Sequence, residues 1–421
     1  MALLSLAYQS LKNRKLTSAL TLSSIALSVA LLIGVEQVRL GARESFAHTI
    51  SQTDLIVGAR GGALQLLLYT VFRIGSATNN ITYASYTHFR DHPAVAWTIP
   101  YSLGDSHRGF RVVGTTEDFY RQYRYRRERQ IELAEGHIPA GIFELALGAD
   151  VAAALKYRVG DAVVITHGIT HARGILDHDD KPFSVVGILK KTATPIDRSL
   201  YITLGGMEAL HLDWSEGAPP MPGEAIPAGK IAQEAIEIKQ ITSFLLRARS
   251  RIDTLRLQRE VNTFEDEPLM AIIPGVTLSE LWRTIGYAED ALRVVSFFVI
   301  IIGLLGMLVS LYTALAERRR EMAVLRAVGA GPSRIILLLV LESGFLSMGG
   351  AIVGVLLVYV LSFLSQPLVE QHFGLFIPIQ PLTVTAYFYV LGVIVAGLLI
   401  GFVPALRAYR HSLADGLTMR L

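Results

Sequence analysis

The sequence predicts a membrane protein: four transmembrane α-helices plus a large α+β extracytoplasmic domain inserted between helices 1 and 2. Three observations carry this expectation. Apolar runs recur four times, each long enough to cross a hydrocarbon layer of about 30 Å. Residues 39–276, of mixed polar, charged and aromatic composition, separate the first run from the second. Lysine and arginine gather at the N-terminus, at 318–334 and at 407–410. All three clusters fall on one side if the chain crosses four times, and the side that tolerates them is cytoplasmic.

Composition narrows the function classes. Of 421 residues, 51% are hydrophobic, which is high for a soluble protein. The chain has no cysteine, so disulfides, thiolate metal sites and cysteine nucleophiles are excluded. A net charge of +3, with its basic residues beside apolar runs rather than in one patch, argues against a nucleic-acid partner. No Gly-x-x-x-x-Gly-Lys-Ser/Thr run occurs, so any ATP that drives the protein is bound by another polypeptide. No Ser-His-Asp or paired-carboxylate arrangement emerges from spacing, and no enzyme active site is expected.

In chain order, residues 1–15 carry Lys12, Arg14 and Lys15 and read as a cytoplasmic N-terminus. Residues 16–38 read as the first transmembrane helix, with Leu16 to Val35 free of charge. A cleaved signal peptide is the rival, but the apolar core is too long and no small-x-small site follows cleanly before Glu36. Residues 39–276 hold no further stretch able to cross a membrane, and a structureless loop of that length is improbable. The expectation is two lobes, one around strands near 110 and 245 and one inserted from about 145 to 210. The segment Ala63 to Ile74 is amphipathic and apolar (Leu64, Leu66, Leu67, Leu68, Val71, Phe72). It reads as a buried helix, or as a surface for a hydrophobic ligand or the outer leaflet.

Strands are expected at Phe110–Gly114, at Leu145–Gly148 and at Val163–Thr166 paired with Phe183–Leu189, then at Tyr201–Thr203. A helix is expected from Asp150 to about Tyr157. Trp214–Lys230 is rich in Pro and Gly and reads as a mobile loop. Ser243–Ala248, Arg251–Thr263 and Leu269–Ile273 form a βαβ-like unit that supports a sheet. Residues 277–316 read as a stalk helix running into transmembrane helix 2. Thr277 is its expected N-cap, and Glu280 completes a capping box. Residues 317–334 read as a short basic helix ending on Gly-Ala-Gly-Pro. Residues 335–364 form the third span, 365–382 an outer loop without Lys or Arg, 383–403 the fourth span, and 404–421 a cytoplasmic C-terminus opened by Pro404. Glycines recur in the later spans (Gly303, Gly306, Gly344, Gly349, Gly350, Gly354, Gly392, Gly397, Gly401) and let helices approach closely, within one chain or between two.

Three sets of residues are candidates for function. Glu342 reads as the one acidic residue inside a span, a functional hypothesis by default. It lies about two turns from Arg334, so pairing with an arginine of the basic segment is preferred to a proton relay. His167, His171 and His178 lie with Asp177, Asp179 and Asp180 between two expected strands. These are zinc-ligand residue types. Their spacing matches no closed site, a polar hairpin tip is the simpler reading, and no metal is assigned. Tyr120 to Arg129 interleaves bases and aromatics. On the outer side it reads as a solvated face, or as a contact for lipid headgroups or a partner protein.

The run Arg318, Arg319, Glu321, Met322, Ala323, Leu325, Arg326, Ala327, Gly329, Ala330 resembles the cytoplasmic coupling-helix segment of ABC transporter permeases of the MacB/FtsX/LolC type, and Arg320 within it joins the expected ATPase-coupling set. Leu147-Gly148-x-x-Val151-Ala152-x-x-Leu155, then Val159-Gly160-Asp161, then Phe183-x-Val185-Val186-Gly187-Ile188-Leu189 resembles the periplasmic domain of the same family. Pro404-Ala405-Leu406-Arg407-Ala408, with Asp415-Gly416-Leu417 behind it, is similar to the C-terminus of these permeases. The resemblance implies a permease subunit of the bacterial inner membrane, docked through this helix onto a separate cytoplasmic ABC ATPase dimer. That dimer would bind ATP and Mg, leaving no cofactor in this chain. It also implies a second permease copy or paralogue, contact with membrane lipid, and a periplasmic adaptor or lipoprotein as a further partner class. The work expected is mechanotransmission onto a lipoprotein, peptide or small hydrophobic molecule outside. The alternatives are a regulatory or sensory protein that activates a periplasmic partner, or part of a metal-acquisition system. The absence of a fused ATPase looks more like the LolC/LolE arrangement than the MacB one, and the size of the outer domain argues against the smaller FtsX-type regulators.

Overall fold

Four helices are long and apolar enough to cross a membrane, within Lys15–Glu44, Pro274–Thr313, Ser333–Val369 and Val384–Leu406. The computed structural model describes all residues except 1, 50, 127, 169–176, 215–225, 232–235, 318–329, 374–378 and 416–421. The chain divides into two units, one of residues 1–42, 285–367 and 378–421, the other of residues 43–284 and 368–377.

The first unit is helical. A short helix, Ala2–Asn13, precedes Lys15–Thr49, and the other long helices are Pro274–Glu317, Pro332–Phe373 and Val384–Asp415. Ile25, Val29, Ile33, Met307, Leu311, Leu346, Ala351, Val358 and Val393 pack into its core. Large apolar side chains also point outward, including Leu20, Leu27, Phe297, Phe298, Ile302, Leu356, Phe363, Phe388 and Leu399. Helices apolar all round suit a hydrocarbon solvent, because there the outward side chains forfeit nothing by being uncovered.

Three expected helix ends are corrected. The second long helix begins at Pro274, so Thr277 lies inside its first turn and caps nothing. Proline suits a first helical position because that N–H has no intrahelical partner. Pro367 and Pro404 lie inside helices that continue to Phe373 and Asp415. The apolar span and the helix therefore differ in length, and proline is tolerated in membrane helices where neighbours satisfy the freed backbone. Glu342 is not the sole buried acid of these helices. Glu36 is buried too and pairs with Arg39 at 2.5 Å and with Arg293 at 3.6 Å.

The second unit is built on strands β1 (Leu55–Ala59), β2 (Ile81–Thr82), β3 (Val95–His107), β4 (Phe110–Thr115), β5 (Arg124–Tyr125), β6 (Arg129–Gln130), β7 (Leu133–Gly136), β8 (Glu144–Leu147), β9 (Ala162–Val163), β10 (Phe183–Leu189), β11 (Ser199–Thr203), β12 (Gln240–Ile241), β13 (Ser243–Ala248) and β14 (Leu269–Ile272). Ten of them form one sheet in the order β14-β1-β13-β3-β4-β11-β8-β10-β7, with β9 on β10. Strand parity assigns its faces. Ile56, Ile99, Tyr101, Val113, Ala146, Tyr201, Leu245 and Ile272 share one core along one face. Their alternates form two cores on the other. One gathers Leu55, Val57, Phe244, Leu246 and Leu269 under the helix Arg251–Asn262. The second gathers Val112, Leu145, Leu147, Val185, Leu200 and Ile202 under the helices Ala149–Leu155 and Leu204–Leu210.

The strands near 110 and 245 do not pair with each other. β13 pairs with the first half of β3 and β4 with the second, across an irregularity between Leu103 and Ser106. One long bulged strand, β3, thus stands between the two strands of that expected lobe, and β4 pairs in parallel with β11 of the 145–210 segment, so the two expected lobes share one sheet. The unit β13–helix–β14 forms as expected, with β1 slotted antiparallel between its two strands. Tyr120 and Tyr123 pack on Phe119 and Tyr125 is buried in the same core, so the aromatic half of the Tyr120–Arg129 run belongs to the core. Ala63–Phe72 follows its buried reading: Leu66, Leu67, Tyr69, Val71 and Phe72 face the same core. Gly136 has φ +77°, and a Cβ there would lie 2.0 Å from the Val186 carbonyl oxygen, so the β7–β10 edge needs a glycine at that position.

Candidate functional site

Of the basic segment, Arg318, Arg319, Arg320, Glu321, Met322, Leu325, Arg326 and Gly329 lie outside the described residues. Ala330 and Gly331 are described and lead into the helix that starts at Pro332. Glu342 lies in that helix and is buried, 2% exposed, beside the buried Ser343.

The second unit holds a different convergence. β3 carries Asp105 two residues before its end. Ser106 bridges to Thr166, and Thr166 bridges to Asp177, which brings two further chain segments alongside. His167 follows Thr166 and His178 follows Asp177. His178 is fixed by its backbone N–H, which donates to the Ile165 carbonyl at 2.9 Å. His211 caps the C-terminus of the helix Leu204–Leu210. One donor atom from each of Asp105, His167, His178 and His211 lies within 4.8 Å of every other. Of the expected trio, His167 and His178 are brought together, while His171 lies outside the described residues.

Three separations define the centre. His167 Nδ1 lies 2.9 Å from His211 Nε2 and 3.3 Å from Asp105 Oδ1. His211 Nε2 lies 3.4 Å from Asp105 Oδ2. His211 Nδ1 faces the Met207 carbonyl oxygen at 3.1 Å. A carbonyl only accepts, so Nδ1 carries the proton and a neutral ring turns the Nε2 lone pair inward. The Gly168 N–H donates to Asp105 Oδ1 at 3.2 Å, and the Ser106 hydroxyl donates to the Gly168 carbonyl at 2.7 Å. Trp214 packs over His167 and His178, with ring centroids 4.8 and 4.6 Å away. Neither ring nitrogen of His178, and not Oδ2 of Asp105, has a hydrogen-bond partner among the described residues.

The electrostatics follow from burial and charge. Burial pushes the Asp105 carboxyl up, but the adjacent His167 and His211 rings outweigh it and hold the group below the usual carboxylate range. Burial lowers His178 to about 4, against the pull of Asp105, so its ring is neutral near pH 7. Burial opposes charge on His211 as well, yet the Asp105 carboxylate beside it raises it. A brace lies behind the cluster. Fully buried Lys181 is held by Asp213 and by the Leu210 carbonyl at 3.2 Å, which ties the turn after His178 to the helix end bearing His211. Imidazole nitrogen and carboxylate oxygen at these separations are donors that a divalent transition metal takes.

Sequence spacing exposes half of this set. His167 and His178 stand out as ligand types on one hairpin. Asp105 and His211 come from remote segments that only the sheet order brings together. The available signal is the pair of short polar runs ending apolar elements, Asp105-Ser106-His107 and His211-Leu212-Asp213-Trp214. Even these do not separate the ligand type from its neighbour. His107 is also buried, but it is bound to the Val164 carbonyl and the Tyr157 hydroxyl.

Comparison with known proteins addresses the rest of the chain. A model described as the MacB-like periplasmic core domain matches residues 18–263, and one described as the FtsX-like permease C-terminal matches residues 293–413. An uncharacterised ABC transporter permease of Methanocaldococcus jannaschii is 25% identical over 225 residues, covering 50% of each chain. The chain thus spans about half the length of the curated relative it matches. The periplasmic region of MacB from Actinobacillus actinomycetemcomitans aligns with a TM-score of 0.33 and 9% identity, over 55% of this chain and 94% of that one. The extracellular domain of the noncanonic ABC-type transporter YknZ from Gram-positive bacteria aligns with a TM-score of 0.28 and 9% identity, over 52% and 98%. With the core-domain match covering more than half of its residues and the permease match adding its C-terminal helices, this chain belongs to the MacB/FtsX-type family of ABC transporter permeases.

Proposed function

We propose that this chain is the permease subunit of an ATP-driven ABC transporter that transmits the motion of a separate cytoplasmic ATPase dimer to a domain outside the membrane. In this reading residues 39–276 form a periplasmic domain inserted between transmembrane helices 1 and 2. The 317–334 segment is the cytoplasmic coupling helix, and ATP with Mg is bound by the partner. The observation that supports it most is family membership joined to four apolar helices. Two of those helices, Lys15–Thr49 and Pro274–Glu317, run unbroken through the residues where one unit ends and the other begins. An α-helix rises about 1.5 Å per residue, and a continuous one is the element this reading assigns to carry force. Four spans per chain suit work on a substrate already outside: a lipoprotein, a peptide or a small hydrophobic molecule.

The test is isolation of the intact complex from native membranes and its reconstitution in lipid. An ATPase subunit should co-purify, and ATP should drive release of a lipoprotein, peptide or hydrophobic molecule from the membrane. Reversing charge at Arg326 to Glu should detach the ATPase or uncouple hydrolysis from release. Isolation of the chain with no nucleotide hydrolase attached would remove the proposal.

A further inference from the structure

The outer unit also carries an arrangement that the permease reading does not use. We propose that Asp105, His167, His178 and His211 form a binding site for one divalent transition-metal ion of the zinc class. The inference rests on side chains within the second unit and does not depend on the coupling mechanism.

Geometry is the first support. Zinc bound tetrahedrally to nitrogen or oxygen at about 2.0–2.1 Å places its donors about 3.3–3.4 Å apart. The separations here are 2.9, 3.3 and 3.4 Å among His167 Nδ1, His211 Nε2 and the two oxygens of Asp105. The two distances to Asp105 run to different oxygens, so small shifts of the carboxylate and of His167 would let one oxygen complete three corners with the two imidazoles. His178 supplies the fourth from inside the fold, with all four donors within 4.8 Å.

Unsatisfied polarity is the second support. Buried polar atoms are paired as a rule. His178 is 1% exposed and Asp105 fully buried, yet both His178 ring nitrogens and Asp105 Oδ2 lack hydrogen-bond partners among the described residues. A purely hydrogen-bonded cluster explains His167, His211 and Oδ1 of Asp105 but leaves His178 with no role. A cation explains all four side chains. The surroundings fit one as well. The Met207 carbonyl fixes the His211 tautomer as an outer-shell partner does, and Trp214 walls one side. The side chains of His167 and His211 are 33% and 31% exposed, which gives an ion a path in and out.

The donor set selects the class. Three imidazoles and one carboxylate, with no thiolate, favour Zn, Co, Ni or Cu over the oxygen-seeking Ca and Mg. A bound ion would tie the end of β3, residues 166–168 and 177–178 and the end of the helix Leu204–Leu210, so metal supply would set the rigidity of these described elements.

The experiment uses the full chain in detergent, with any affinity histidines removed and metal stripped by a chelator. Cobalt(II) alone is titrated. Expected are a visible absorption band with four-coordinate intensity, saturation at one ion per chain, displacement by zinc, and a rise in melting temperature with zinc. His178→Ala and His211→Ala should each lower affinity by more than the roughly 10–100-fold that loss of an outer-shell partner costs. His137→Ala, on an exposed histidine elsewhere, should change nothing. A readout free of variants is histidine carbethoxylation of the native chain, mapped by mass spectrometry. Zinc should shield His167 and His211 and leave His137 reactive. The proposal is overturned by the absence of a saturable cobalt band, by equal binding in His178→Ala and His211→Ala, or by reactivity at His167 and His211 that ignores zinc.

Discussion

Lys181 shows what a single residue holds in place. Its ammonium is fully buried and meets Asp213 and the Leu210 carbonyl. Removing one partner of a buried ion pair strands the other charge and costs about 3–5 kcal/mol. Asp213→Ala should therefore lower the stability of the outer unit by that order in thermal denaturation, while Lys181→Met combined with Asp213→Leu should cost distinctly less. Asp197 provides a pH test. Burial pushes its carboxyl up to about 6 from the ordinary 3.8, against hydrogen bonds from Thr192 and Ala193. Between these values the folded chain keeps a proton that the unfolded chain has lost. Its contribution to stability is thus complete below about pH 4 and is lost as pH rises through about 6. Melting temperature should fall across that window, and Asp197→Asn should flatten the fall. Residue identity made ligand types such as His167 and His178 legible, but not Asp105 or His211, because a ligand set depends on which strands lie side by side. The tyrosines at 120, 123 and 125 were misleading for the same reason: each is polar enough to read as surface until the core around Phe119 is seen to bury them.

Elements follow periodicity where burial decides them and escape it at their ends. The strands at 110–115, 183–189 and 243–248 were visible because apolar alternation matches a pleated, half-buried surface. Helix ends at Pro367 and Pro404 were not, because proline rules describe helices in water, and the start expected at Thr277 moved to Pro274, which suits the first helical position. The span glycines divide once neighbours are known. A Cβ on Gly354 would lie 2.6 Å from the Ala26 carbonyl oxygen, and one on Gly401 would lie 2.1 Å from the Ser343 hydroxyl, so these pack the helices of one chain. Gly306 and Gly392 have open space at that position. Gly354→Leu should overpack the bundle by about 1–3 kcal/mol and reduce the yield of monodisperse protein in detergent. Gly306→Leu should leave that yield unchanged.

At the scale of the whole molecule, class and family were legible because apolar runs, basic clusters and the 318–330 pattern are local features. The single ten-stranded sheet was not, since one long strand, β3, joins segments far apart in sequence. Glu342 links the scales. If it pairs with an arginine of the coupling segment, Glu342→Gln should weaken ATP-driven release while leaving ATPase binding intact, a split read by comparing hydrolysis with release in reconstituted complexes. The central claim is that force enters at an inner basic segment and leaves through an outer domain. The chain has no cysteine, so single cysteines at Arg326 and at the exposed Lys190 report sidedness without background. With a membrane-impermeant maleimide on spheroplasts, Lys190→Cys should label at once and Arg326→Cys only after the membrane is opened. Labelling of Arg326→Cys on sealed spheroplasts, or protection of Lys190→Cys, would contradict it.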